Sequence, residues 1–104
     1  MATRQDFIEY VCDQIKDVGM VRYRKMFGEY MVYVNDKPVL LVCDNTVFVK
    51  KIEEVSALMK DAEVGFPYDG AKEHYVLDID DKNFSISVVG ILEEVTKVPK
   101  KKAK

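Results

Sequence analysis

VRYRKMFGEYMVYVNDKPVLLVCDNTVFVK, residues 21–50, decides the fold. β-Branched and aromatic residues fill four segments of it, 21–27, 30–34, 39–43 and 46–50, which is the composition of strands. Turn formers separate them. Gly28-Glu29 allows a tight reversal or a bulge, Asn35-Asp36-Lys37-Pro38 is a turn cluster, and Asp44-Asn45 suits the positive φ values of a two-residue hairpin loop. Connections this short join antiparallel neighbours, because a parallel return needs a crossover of roughly a dozen residues. The segment therefore predicts an antiparallel meander. Its last three strands are nearly continuous apolar runs, as expected of strands covered on both faces.

Outward from the meander the period changes. Phe7, Ile8, Val11, Ile15 and Val18 recur at three and four residues and predict a helix over 4–18. Thr3 and Asp6 have capping-box spacing at its start, and Gly19 offers a left-handed stop at its end. Ile52, Val55, Leu58, Met59 and Ala62 predict a second helix over 51–62. Gly65, Pro67 and Gly70 make 65–70 a loop, and 73–79 returns to a strand with Tyr75, Leu77 and Ile79 on one face. The last segment fits two periods. Residues 84–88 alternate like a strand, while Phe84, Val88, Leu92 (or Ile91), Val95 and Val98 form a helical stripe. Gly90 weakens either by about 0.5–1 kcal/mol. Cap candidates at Asp80-Asp81 and solvent-facing Glu93-Glu94 favour a helix over about 83–97.

A chain of 104 residues has room for one hydrophobic core, so 1–98 is expected to be a single α+β domain and 99–104 a flexible, lysine-rich tail. The formal charge of −2 hides an asymmetry: four of the 16 basic residues lie beyond Val98, leaving 12 against 18 acidic ones, or −6, in the body. An acidic body argues against the core gripping DNA. No apolar stretch approaches the roughly 18 residues that cross a membrane, and Cys12 and Cys43 sit in apolar runs like reduced, buried thiols. A cytoplasmic location and no membrane contact are the expectation.

Residues that carry chemistry are sparse. His74 is the only histidine. Asp78 lies four residues on, but Cys12 and Cys43 belong to other elements, so no nucleophile and base are predicted to meet. Asp78, Asp80 and Asp81 lack the glycine and terminal glutamate of a calcium loop and read as helix-cap residues. The glycines at 19, 28, 65, 70 and 90 form no phosphate cradle. No catalytic, metal or cofactor-binding residue is predicted, and no cofactor. The most individual feature is Arg22, Arg24 and Lys25 set among Tyr23, Phe27, Tyr30 and Tyr33. As a strand, 21–27 turns Arg22, Arg24 and Met26 to one face and Tyr23, Lys25 and Phe27 to the other. Such a mixture serves either as a contact surface or as protection for a first strand.

At Lys25-Met26-Phe27-Gly28-Glu29-Tyr30, followed by Tyr33 and by Val47-Phe48-Val49-Lys50, the chain resembles the N-terminal domain of the TfoX (Sxy) family of bacterial competence regulators. The helix before the basic strand and Phe66-Pro67-Tyr68 after the second helix fit the same pattern, which spans residues 3 to about 97. The resemblance implies a two-layer domain, helices packed against an antiparallel meander sheet, in the order α-βββ(β)-α-β(β)-α. It also implies a transcriptional co-regulator that works with a sequence-specific activator. The second, helical domain of that family's pattern has no counterpart in these 104 residues.

The leading expectation is thus a non-enzymatic protein-interaction module, with Arg24, Lys25, Phe27, Tyr30 and Lys50 as contact residues and Gly28 as the turn former. Its partner is expected to be a second copy, giving a homodimer, or a transcription-regulatory protein. The alternative is a small-molecule-binding domain or minor enzyme using a pocket lined by Tyr23, Tyr68, His74 and Tyr75. A third reading is nucleic-acid binding through the strand cations and the lysine tail.

Overall fold

In the computed structural model, which describes residues 4–26 and 29–97, two Asn/Asp turns set the sheet. Asn35 and Asp36 take φ of 52° and 68°, and Asp44 and Asn45 take 54° and 57°. That is the left-handed backbone a two-residue hairpin needs, and Asn and Asp tolerate it better than most residues. The first turn joins β2 (Glu29–Val34) to β3 (Lys37–Cys43), and the second joins β3 to β4 (Thr46–Lys50). The turn cluster expected over 35–38 is narrower than its sequence suggests, with Lys37 and Pro38 joining β3. A register shift at Val32/Tyr33 lets Pro38, which has no N–H to donate, sit opposite Tyr33.

β1 (Val21–Met26) pairs with β2, β6 (His74–Val76) with β4, and a two-residue β5 (Val64–Gly65) with β6, all antiparallel. The sheet order is β1-β2-β3-β4-β6-β5, so β1 is an edge strand. This is the α+β meander the sequence predicts, with two differences: the stretch expected to loop from 65 opens with β5, and the strand expected over 73–79 shortens to His74–Val76.

One face of the sheet carries the core. Tyr30, Val32 and Val34 of β2 are buried, and the register sets Leu40 and Val42 of β3 and then Val47 of β4 beside them. α1 (Gln5–Gln14), with Ile15 just after it, brings Ile8, Val11 and Ile15 onto that surface. α3 (Lys82–Val95) brings Val88, Val89 and Leu92. All six helical side chains are at most 2% exposed, so each contributes about 1.5–3 kcal/mol of apolar burial.

The helices correct three expectations. Thr3 of the capping box lies outside the described residues; the helix start at Arg4 has no side-chain cap, and Asp6 instead pairs with Arg4 at 2.7 Å. The long first helix breaks at Ile15 and finishes as a 3₁₀ turn, Lys16–Val18, while Gly19 has φ 168°, extended and not left-handed. The expected 51–62 helix shrinks to α2 (Glu53–Ser56) followed by turns. Ser56 Oγ donates back to the Glu53 carbonyl at 2.8 Å, a competitor of the helical ladder, yet Val55 and Met59 are still buried as the pattern requires. The ambiguous final segment is helical because Asp81 accepts from Phe84 N at 3.2 Å, and buried Ser85 is satisfied through its hydroxyl on the Asp78 carbonyl. Among the described residues no helix is long and apolar enough to cross a membrane.

Candidate interaction surface

Strand alternation dictates what the face away from the helices displays. The register aligns Val76, Phe48, Leu41, Met31 and Arg24 in one row across it. Sequence reading missed this row, having taken the β2 to β4 runs as covered on both sides; the signal was the alternation within 30–34. Arg22 lies on the same face, its guanidinium 4.6 Å over the Tyr33 ring and its Nε donating to Asp36 at 3.1 Å.

The predicted contact residues do not form one cluster. Arg24 is exposed on this outer face, opposite Met31. Lys25, also exposed, points to the helix side of the edge, opposite Tyr30. Neither has an ion-pair partner among the described residues. Tyr30 is 5% exposed and meets Tyr23 edge-on at 5.3 Å, so it belongs to the core and not to a contact surface. Lys50 is on the outer face beside His74, three strands from Arg24 and so roughly 15 Å away. Phe27 and Gly28 lie outside the described residues.

The pocket proposed for Tyr23, Tyr68, His74 and Tyr75 divides in the same way. Tyr68 and His74 line an outer-face cavity of about 540 Å³ with Lys50, Lys72, Phe48 and Leu41. Tyr23 and Tyr75 are on the helix side, Tyr75 opposite Val49 and under the Lys51 ammonium at 5.2 Å. His74 stands edge-on to Phe48 at 6.3 Å, and its Nδ1 is 2.7 Å from the Lys72 carbonyl.

Among the described residues no cysteine is activated as a nucleophile. Burial pushes the Cys12 thiol up to about 11 and, together with Glu29 and Asp44, raises that of Cys43, so both are thiols at neutral pH. The aspartates are already engaged: Asp81 caps α3, Asp78 accepts from Asp80 N, and Asp80 accepts from the Tyr10 hydroxyl at 2.6 Å. That last bond also holds the phenol of Tyr10 above its usual range. Among the described residues no group of His, Cys, Asp and Glu is placed to hold a metal ion.

Comparison with known proteins adds a relationship. The family model described as the TfoX N-terminal domain matches residues 13–84. An uncharacterized 12.7 kDa protein in the trpE 5′ region of Spirochaeta aurantia is 38% identical over 78 residues, covering 75% of this chain and 68% of that protein.

Proposed function

The chain belongs to the TfoX N-terminal domain family, and on that premise we propose that it is a non-enzymatic regulatory module whose open sheet edge holds an extended, acidic segment of a transcription-regulatory protein. The observation that carries this reading is β1. It has a strand neighbour on one side only, and it presents Arg24 and Lys25, exposed and without an ion-pair partner among the described residues. An edge strand turns alternate N–H and C=O groups outward, and an added strand satisfies them. Backbone bonds would supply affinity, and the cations on either side of β1 would select acidic side chains. The acidic body, −6 over residues 1–98, favours a protein over DNA as the partner. The likeness to competence regulators supports a partner in transcriptional control of DNA uptake.

The test is calorimetric titration of the full chain, and of its Arg24→Ala/Lys25→Ala variant, with a purified activator of the host's competence genes. The expected result is at least roughly tenfold weaker binding by the variant, since charge-assisted contacts contribute about 1.5–3 kcal/mol. The melting temperature should hold, because exposed substitutions usually stay within about 0.5 kcal/mol. Unchanged affinity would defeat the reading, and parallel loss of binding and stability would assign the two cations to folding.

A further inference from the structure

We propose that the 540 Å³ cavity between the outer sheet face and the 68–72 segment binds a small monocarboxylate with an apolar body, aromatic or branched aliphatic. The site is separate from the β1 edge, so it stands or falls independently of the partner reading. Its volume is within the range of about 300–1,000 Å³ typical of small-molecule sites. Its floor is apolar: Phe48 and Leu41 are cross-strand neighbours, and Met31 faces Leu41 from the next strand. Tyr68, 52% exposed, stands at the rim as an aromatic wall.

The two charged lining side chains, Lys50 and Lys72, are both cations. Lys50 and His74 face each other across β4 and β6, and the His74 ring is fixed by its Nδ1 bond to the carbonyl of Lys72, which brings the third basic residue to the same side. A carbonyl can only accept, so Nδ1 carries the proton of that bond. Neither Lys50 nor Lys72 has an ion-pair partner among the described residues, whereas the adjacent Lys51 bonds to Glu73. No lining residue of this cavity is acidic, in a chain with 18 acidic residues. The larger helix-side cavity, about 780 Å³, is lined by Asp61, Asp78, Asp80 and Asp81 and has the opposite character. Two unpaired ammoniums beside an apolar floor select a ligand with one anionic end and one hydrophobic end. A neutral hydrocarbon leaves the lysines unmatched, an amine is repelled, and a compact inorganic anion leaves the floor unused.

The experiment is a two-dimensional amide NMR titration of the full chain with 3-phenylpropionate, 3-phenylpropanamide and inorganic phosphate. Saturable shifts by the acid are expected at Phe48, Lys50 and residues 68–74, with the amide and phosphate binding at least tenfold more weakly. Lys50→Gln/Lys72→Gln should weaken the acid roughly tenfold and leave the amide unchanged, Lys50→Arg/Lys72→Arg should retain the acid, and Arg24→Ala/Lys25→Ala should have no effect. Absence of saturable shifts, shifts mapping to the helix side, or equal binding of the acid and either control overturns the proposal.

Discussion

Gly90 and Gly19 look alike in sequence and carry opposite expectations. Gly90 lies inside α3, and a Cβ built on it meets nothing within 4 Å. Helical glycine costs about 0.5–1 kcal/mol relative to alanine, through backbone entropy in the unfolded chain. Gly90→Ala should therefore stabilise the protein by about that amount, read as a higher urea midpoint at unchanged slope. Gly19 has an extended backbone open to any residue, but an added Cβ would lie 2.6 Å from Asn35 Nδ2. That amide is pinned, its Oδ1 accepting from Met20 N at 3.0 Å and its Nδ2 donating to Glu93 at 3.2 Å. Gly19→Ala should destabilise by about 1–3 kcal/mol through overpacking. If both alanines shift the midpoint in the same direction, the local geometry described for one of these sites is wrong. The sequence reads Gly90 as a weak point of its segment and Gly19 as a left-handed stop that the structure does not show, and the Asn35 contact comes from a residue 16 positions away that leaves no mark on the local pattern.

Among elements, the decisive joint is where the end of α3 meets the β2–β3 turn. Lys37 Nζ donates to the Glu93 carbonyl at 2.9 Å and to its carboxylate at 3.1 Å, and Asn35 donates to the same carboxylate. A cation on a C-terminal carbonyl of a helix satisfies an otherwise orphaned acceptor and complements the helix dipole. The hydrogen bonds from Asn35 and then Lys37 hold the Glu93 carboxyl below its ordinary value of 4.5. A carboxyl depressed in the folded state contributes stability that is complete above its unfolded value and is lost as pH falls through the folded one. Glu93→Gln should thus be less stable than the native chain at pH 7, with the gap closing as pH falls below about 4.5. Urea midpoints at pH 7 and pH 3 decide it, and a gap independent of pH rules out the carboxylate's role. The elements that the sequence predicts well are those with local causes, the Asn35-Asp36 and Asp44-Asn45 turns, whereas the α3 segment fits two periods and its Asp81 cap tips the reading towards the helix that forms. α2 and β5 are poorly predicted because their extents depend on how the chain re-enters the sheet after Met59.

For the molecule as a whole, the sequence shows which residues of β1 alternate but not which side the helices cover, since that depends on long-range packing. Tyr30 and Arg24 consequently look equivalent until one is in the core and the other on the open face. The same face decides what this protein does with a second copy of itself. Its apolar row invites association, and the nearly continuous apolar runs of β2 to β4, which read as needing cover on both faces, make a homodimer a natural expectation from the sequence. Two-fold pairing is isologous, so each copy must present the same patch to the other. That patch has Arg24 at one flank and Lys50 and Lys72 at the other, and Glu29 is the one acidic strand residue among the described residues that shares it. With the axis laid along the strands, Arg24 opposes the lysine flank; with the axis across them, each flank opposes its own copy. Either arrangement places cation over cation, and like charges across an interface cost several kcal/mol. Size-exclusion chromatography with light scattering, in about 150 mM salt where screening reaches only about 8 Å, should therefore give one species at the monomer mass of 12.0 kDa. Association should appear only when Arg24, Lys50 and Lys72 are all replaced by Gln, which leaves Met31, Leu41, Phe48 and Val76 intact and removes the repulsion. A native-sequence species of twice the monomer mass that persists on dilution would show that apolar burial on this face outweighs its charge.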